Sequence, residues 1–250
     1  MTRATMGLIM LAAVSGANLT RADFVLNVDF QPGPTGGKFS SAHAGVGALP
    51  DDGGTLWNVV APPVDGYASA WGSGGNFSFT GGFTSEPLYD SGGRATPVTI
   101  TVHAGAPLGT TFAVNPENTW AYGHVAADAA ALMGDYLIAP GGGTNSVVIS
   151  NLVAGARYTL YLYGAGDQNY HQTTFVVGGH EKSTAGVPHD RTHDLTAGMD
   201  YVVFEDVEAA GGVIAIGYVA AGESRDGNFN GLQLKGARPG SEDDRGEQEP

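Results

Sequence analysis

Apolar and polar positions alternate along this chain in short runs separated by glycine. The run 98–102 puts Val98, Ile100 and Val102 on one face, and 76–80 alternates in the same way. This period of two is the mark of half-buried strands. Further runs of this kind occupy 24–30, 147–152, 158–163, 173–177, 201–204, 213–218 and 229–234, and Val, Ile, Thr and aromatic residues dominate them. Residues 154–157 supply a turn between two of these runs. One stretch breaks the rhythm. Residues 124–133 are rich in alanine and are followed by Gly134, which predicts a short helix with Leu132 and Met133 packed inward. Helical stretches do not alternate with strands, and no repeat of blade length is present. The expected fold is all-β: a jelly-roll-like antiparallel β-sandwich with one short helix.

Composition narrows the setting. The chain has 250 residues, 40 of them glycine, no cysteine, and 11 Lys+Arg against 25 Asp+Glu for a net charge of −14. Such a balance offers no electrostatic footprint for nucleic acid or anionic lipid. The missing cysteines exclude disulfides, thiolate metal sites and a cysteine nucleophile. Arg3 followed by the apolar run 6–14 reads as a signal peptide over residues 1–22, cut after Ala17 or Ala22. That run is too short for a membrane span, which needs about 20 residues. Residues 23–236 are expected to form a single sandwich domain. Residues 237–250, with five acidic and two basic side chains and nothing large and apolar, read as a disordered acidic tail. The expected location is secreted, extracellular or periplasmic.

The segments 132–137, 148–152, 158–167 and 229–234, with Val28 to Phe30 and Gly54 to Asn58, resemble a recurring secreted bacterial β-sandwich. That sandwich is similar to galactose-binding-like and other carbohydrate-binding modules. The resemblance covers about residues 24–235. It implies a jelly-roll sandwich in contact with an extracellular glycan, and no particular sugar.

Candidate chemistry lies in the loops. Sugars present flat C–H faces on which aromatic rings stack, while amides and carboxylates bond their hydroxyls. Trp57, Tyr67, Trp71, Tyr89, Trp120 and Tyr170 fall outside the runs named above, and the stretch from Trp57 to Trp71 is the densest; the alternative is that each ring plugs the core or an end of the sandwich. Asp167, Asn169, Tyr170 and His171 share one loop, suited to sugar hydroxyls or to calcium, and otherwise a simple turn. Asp226, Asn228 and Asn230 precede the last run, where Asp226-Gly227 is a turn signal. If the two loops meet, they form one polar rim, with Asp167 and Asp226 as candidate calcium ligands. His189, Arg191 and His193 suit lyase chemistry on an acidic polysaccharide, an imidazole taking the proton and Arg191 neutralising a uronate.

The leading expectation is therefore a non-catalytic polysaccharide-binding protein that requires no cofactor. One alternative is a polysaccharide lyase or hydrolase acting on an extracellular glycan. The other is a structural or adhesive surface protein that pairs edge to edge, and neither the glycan nor the oligomeric state follows from the sequence.

Overall fold

The structure is a computed structural model that describes residues 23–31, 43, 45, 47–49, 56–61, 68–71, 76–79, 82–103, 110–114, 129–140, 143–166, 171–185 and 194–240. Two sheets face each other. The first is ordered β13 (Tyr201–Glu208), β10 (Arg157–Tyr163), β16 (Gly231–Ala237), β1 (Asp23–Phe30) and β2 (Asn58–Val60). The second runs β12 (His180–Ser183), β11 (Thr173–Val177), β14 (Ile214–Ala220), β9 (Asn145–Ser150), β6 (Thr99–His103) and β5 (Gly82–Thr84). Their inner faces bury one continuous core. Leu26, Val28, Leu160, Leu162, Leu232 and Leu234 come from the first sheet; Ile100, Val147, Ile149, Phe175, Ile216 and Tyr218 come from the second. A third sheet, β15 (Asp226–Phe229), β8 (Asp135–Pro140), β7 (Thr110–Val114), β4 (Asn76–Phe79) and β3 (Ala68–Trp71), joins that core through Leu137, Ala139 and Phe229. Phe229 stands at its centre, meeting Phe30, Phe175 and Tyr218 at ring distances of 4.9, 4.9 and 5.3 Å with steep interplanar angles. Pairing is antiparallel except between β1 and β2.

The all-β sandwich matches the expectation, with three differences in detail. The run 229–234 is not one strand. The chain leaves the third sheet after Phe229 and enters the first at Gly231, with Asn230 as the joint. Asn230 N–H donates to Tyr163 O at 3.0 Å, and its carbonyl accepts from Phe30 N–H at 2.9 Å. Gly227 is not a turn residue but lies in β15, where a Cβ would stand 2.5 Å from the Val219 carbonyl. The helix among the described residues is only α1 (Ala130–Met133), with Leu132 and Met133 buried as expected.

The outer face of the first sheet is also closed. Asn27, Asp29 and Gln233 alternate with the core residues of β1 and β16, yet each is fully buried. Residues 43, 45 and 47–49 lie over them: Leu49 N–H donates to Gln233 Oε1 at 3.0 Å, Ala48 N–H to Tyr163 Oη at 2.6 Å, and His43 N–H to Asp29 Oδ2 at 3.0 Å. Gln233 also donates to Asn27 Oδ1 at 2.9 Å and accepts from Tyr163 Oη at 2.5 Å. A second small core of Trp57, Leu132, Met133, Tyr163 and Ala165 fills the same side. At the C-terminal end, Ala237 still pairs with Asp23 and Arg238 binds Asp90, so the fold runs past residue 236. The expected signal segment 1–22 and residues 241–250 of the expected tail lie outside the described residues.

Candidate functional site

Trp57, expected on an exposed loop, is buried at 6% exposure. Its indole N–H donates to Gly45 O at 2.9 Å, and the ring meets His43 edge-on at 4.6 Å and Tyr163 at 6.3 Å. Residues 43 and 45 are part of its enclosure, and an enclosed ring has no face on which a sugar can stack. Trp71 lies in β3. Tyr67, Asp167, Asn169, Tyr170, His189, Arg191 and His193 lie outside the described residues.

Of the two expected polar segments, the described residues His171 and Asp226 lie close together. His171 Nε2 stands 3.8 Å from Asp226 Oδ2, and Arg225 Nε is also 3.8 Å from that oxygen. Asn228 and Asn230, however, are fully buried and face inward. Asn230 Oδ1 accepts from Ala165 N–H at 3.0 Å, while its Nδ2 donates to Met133 O at 3.3 Å. Asn228, with its amide placed to suit its neighbours, donates to Gly227 O and accepts from Gly166 N–H, both at 3.2 Å. These amides fasten the joint between sheets, so the expected polar rim lacks them. No group of three His, Asp or Glu side chains suited to a metal gathers among the described residues.

Each flank of the sandwich, where the sheet edges do not pair, carries an open groove. The flank between β12 and β13 holds one of about 910 Å³. Three of its charges are tied together: Arg157 pairs with Glu208 at 3.1 Å and Asp206 at 3.6 Å. Lys182 crosses between the edges to donate to Val203 O at 2.6 Å and lies 5.4 Å over the buried Phe204 ring. No exposed aromatic ring lines it.

The opposite flank, between β2 and β5, holds a groove of about 670 Å³ lined by residues 58–61 and 82–89. Both volumes fall in the range of small-ligand sites, roughly 300–1,000 Å³. Tyr89 stands at the second groove with half of its surface exposed. Leu56 and Val59 are exposed nearby, so three of the four large apolar side chains exposed among the described residues share this flank.

A turn and a buried amide fix Tyr89. The Asn58 side chain pairs with its backbone as a neighbouring strand would: Oδ1 accepts from Tyr89 N–H at 2.8 Å, and Nδ2 donates to Tyr89 O at 2.7 Å and to Asn27 O at 2.9 Å. The chain then turns at Gly93, whose φ of +83° suits glycine, and Tyr89 bridges Ala95. Asp90, 2% exposed, holds the turn: it accepts from Arg94 N–H at 2.8 Å and from Arg94 Nε at 3.0 Å, and Arg238 also binds it. Burial pushes the Asp90 carboxyl up, but the bonds from the Arg94 N–H and the two guanidiniums outweigh it and hold it below the usual 3.8. Ser91 N–H donates to Val25 O at 2.8 Å, anchoring the turn to β1.

Tyr89 belongs to the loop aromatics that the sequence singles out, but nothing in its spacing separates it from Trp57. Asn58, next to Trp57 in the chain, holds Tyr89.

No family model and no curated protein matches the chain. Among solved structures it is similar to the CBM36-1 domain of a multidomain xylanase from the hindgut metagenome of Trinervitermes trinervoides, at 14% identity and a TM-score of 0.27 over 39% of this chain and 75% of that one. It is also similar to TmCBM61 in complex with β-1,4-galactotriose, at 17% identity and 0.30 over 55% and 87%. A third similar structure is an exo-β-1,3-galactanase from Phanerochaete chrysosporium with galactose, at 15% identity and 0.27 over 63% of this chain and 30% of that one. The scores are low, and the sandwich architecture rests on this chain's own strand pairing. No helix among the described residues is long and apolar enough to cross a membrane.

Proposed function

We propose that this chain is a secreted, non-catalytic carbohydrate-binding protein whose ligand lies in the groove beside Tyr89. One observation carries the reading: a half-exposed tyrosine at an open groove, its backbone clamped on both polar groups by a buried asparagine. A pre-set ring stacks on a sugar face at little cost in entropy. The two arginines on the buried Asp90 keep that ring in place, and Leu56 and Val59 extend the apolar strip. Secretion is supported by Arg3 and the apolar run 6–14.

The test is native electrophoresis of the full chain through gels embedded with single polysaccharides, followed by staining of the glycan. Retardation in at least one gel with the glycan intact is the expected result. A cleared zone would replace this reading with that of a lyase or hydrolase, and unretarded migration in every gel would overturn it.

A further inference from the structure

We propose that the Tyr89 groove takes an uncharged stretch of polysaccharide and turns away carboxylated or sulfated chains through Glu86; this rests on the carbohydrate-binding reading above. Among the described residues lining the groove, Glu86 is the one carboxylate, and no Lys, Arg or His accompanies it. Arg94 of the neighbouring turn and Arg238, which follows β16, are both engaged by Asp90. Among the described residues the groove thus supplies no cation to an anionic ligand.

The rest of its surface suits a neutral ring. Val59 and Tyr89 offer apolar contact to C–H faces. Thr84 and Ser85 add hydroxyls on the β5 side, where Thr84 Oγ1 bonds Thr101 Oγ1 at 2.8 Å and Ser85 Oγ accepts from Ile100 N–H at 3.0 Å. A neutral pyranose settles there by stacking and hydroxyl exchange. A carboxylate or sulfate in the same place sheds water without a counter-charge and lies near a like charge, which is selection by repulsion. The net charge of −14 adds to this at low salt. Glu86 acts here on selectivity, since no second carboxylate is found among the described residues lining the groove.

The experiment measures binding of the full chain to a panel of neutral glucans, galactans, mannans and xylans, and to the carboxymethylated form of each. Wild type, Glu86→Gln, Glu86→Lys and Tyr89→Ala are compared at two salt concentrations, with thermal unfolding confirming that each variant is folded. Wild type is expected to bind a neutral polymer at least about tenfold tighter than its carboxymethylated form, with the gap narrowing in high salt. Glu86→Gln should narrow the gap by roughly threefold, and Glu86→Lys should close or invert it. Equal binding of both forms by wild type, or an unchanged gap in Glu86→Lys, overturns the selectivity and leaves carbohydrate binding standing. Binding to no polymer overturns both.

Discussion

Replacing Trp57 by alanine removes an indole that is 6% exposed, together with its bond to Gly45 O and its contacts with His43 and Tyr163. Truncating a buried tryptophan costs about 3–5 kcal/mol, because the cavity only partly collapses. Here residues 43, 45 and 47–49 lose an anchor while Asp29 and Gln233 remain beneath them. Against a total stability of roughly 5–15 kcal/mol, that is a large fraction. At about 2–4 °C per kcal/mol for a domain of this size, the midpoint should fall by roughly 10 °C. Tyr89→Ala is the matched control. Its ring is half exposed, so its midpoint should stay within about 2 °C of wild type. Near-UV circular dichroism followed through thermal unfolding reads both variants. A Trp57→Ala midpoint equal to that of wild type would show the indole to be dispensable and overturn the enclosed outer face; a Tyr89→Ala midpoint as low as that expected for Trp57→Ala would make Tyr89 a core residue and remove it as a platform.

Three further outcomes follow from the same geometry. Burial pushes the Asp29 carboxyl from 3.8 to about 7, against the lowering bonds from His43 N–H and Gln31. The folded state therefore holds the proton more tightly, so stability is fullest below pH 3.8 and is lost as pH rises through about 7; at 1.36 kcal/mol per unit the change is about 4 kcal/mol. Denaturant titrations should find this slope in wild type and not in Asp29→Asn, and equal slopes would refute it. Asp90 runs the other way: its lowered pKa means its contribution is present above 3.8 and lost as pH falls through the depressed value. Asp90→Ala should weaken glycan binding at neutral pH although Tyr89 is intact, and unchanged binding would separate the turn from the site. Gly231→Ala places a Cβ 2.4 Å from the Val28 carbonyl and should impair folding as judged by soluble yield and midpoint. A wild-type midpoint there would mean that the joint between sheets is looser than described.

What was legible in the sequence follows physical lines. β6, β9, β10 and β11 lie within a residue or two of where alternation puts them, because each has one face in the core and one less buried. β12 escaped notice because its four residues, HEKS, are all exposed at a sheet edge and carry no alternation. The break at Asn230 shows in the sequence only as a change of phase, Phe229 at an odd position and Leu232 and Leu234 at even ones. Alternation also shows that Asn27, Asp29 and Gln233 share a face, but not that the face is dry. Its covering comes from His43, Ala48 and Leu49, distant in sequence from β16. The same covering decides the aromatics. Trp57 and Tyr89 read alike as loop rings, and only long-range contacts send one inward and leave the other at the groove.

The most direct test of the central claim is calorimetric titration of wild type, Tyr89→Phe and Tyr89→Ala with the glycan that retards the wild-type chain. A stacking ring needs its face, not its hydroxyl, so Tyr89→Phe should bind within about threefold of wild type. Tyr89→Ala should lose at least about tenfold, equivalent to roughly 1.4 kcal/mol, with its unfolding midpoint unchanged. Equal affinity across all three proteins would contradict the claim and place the ligand away from the groove between β2 and β5.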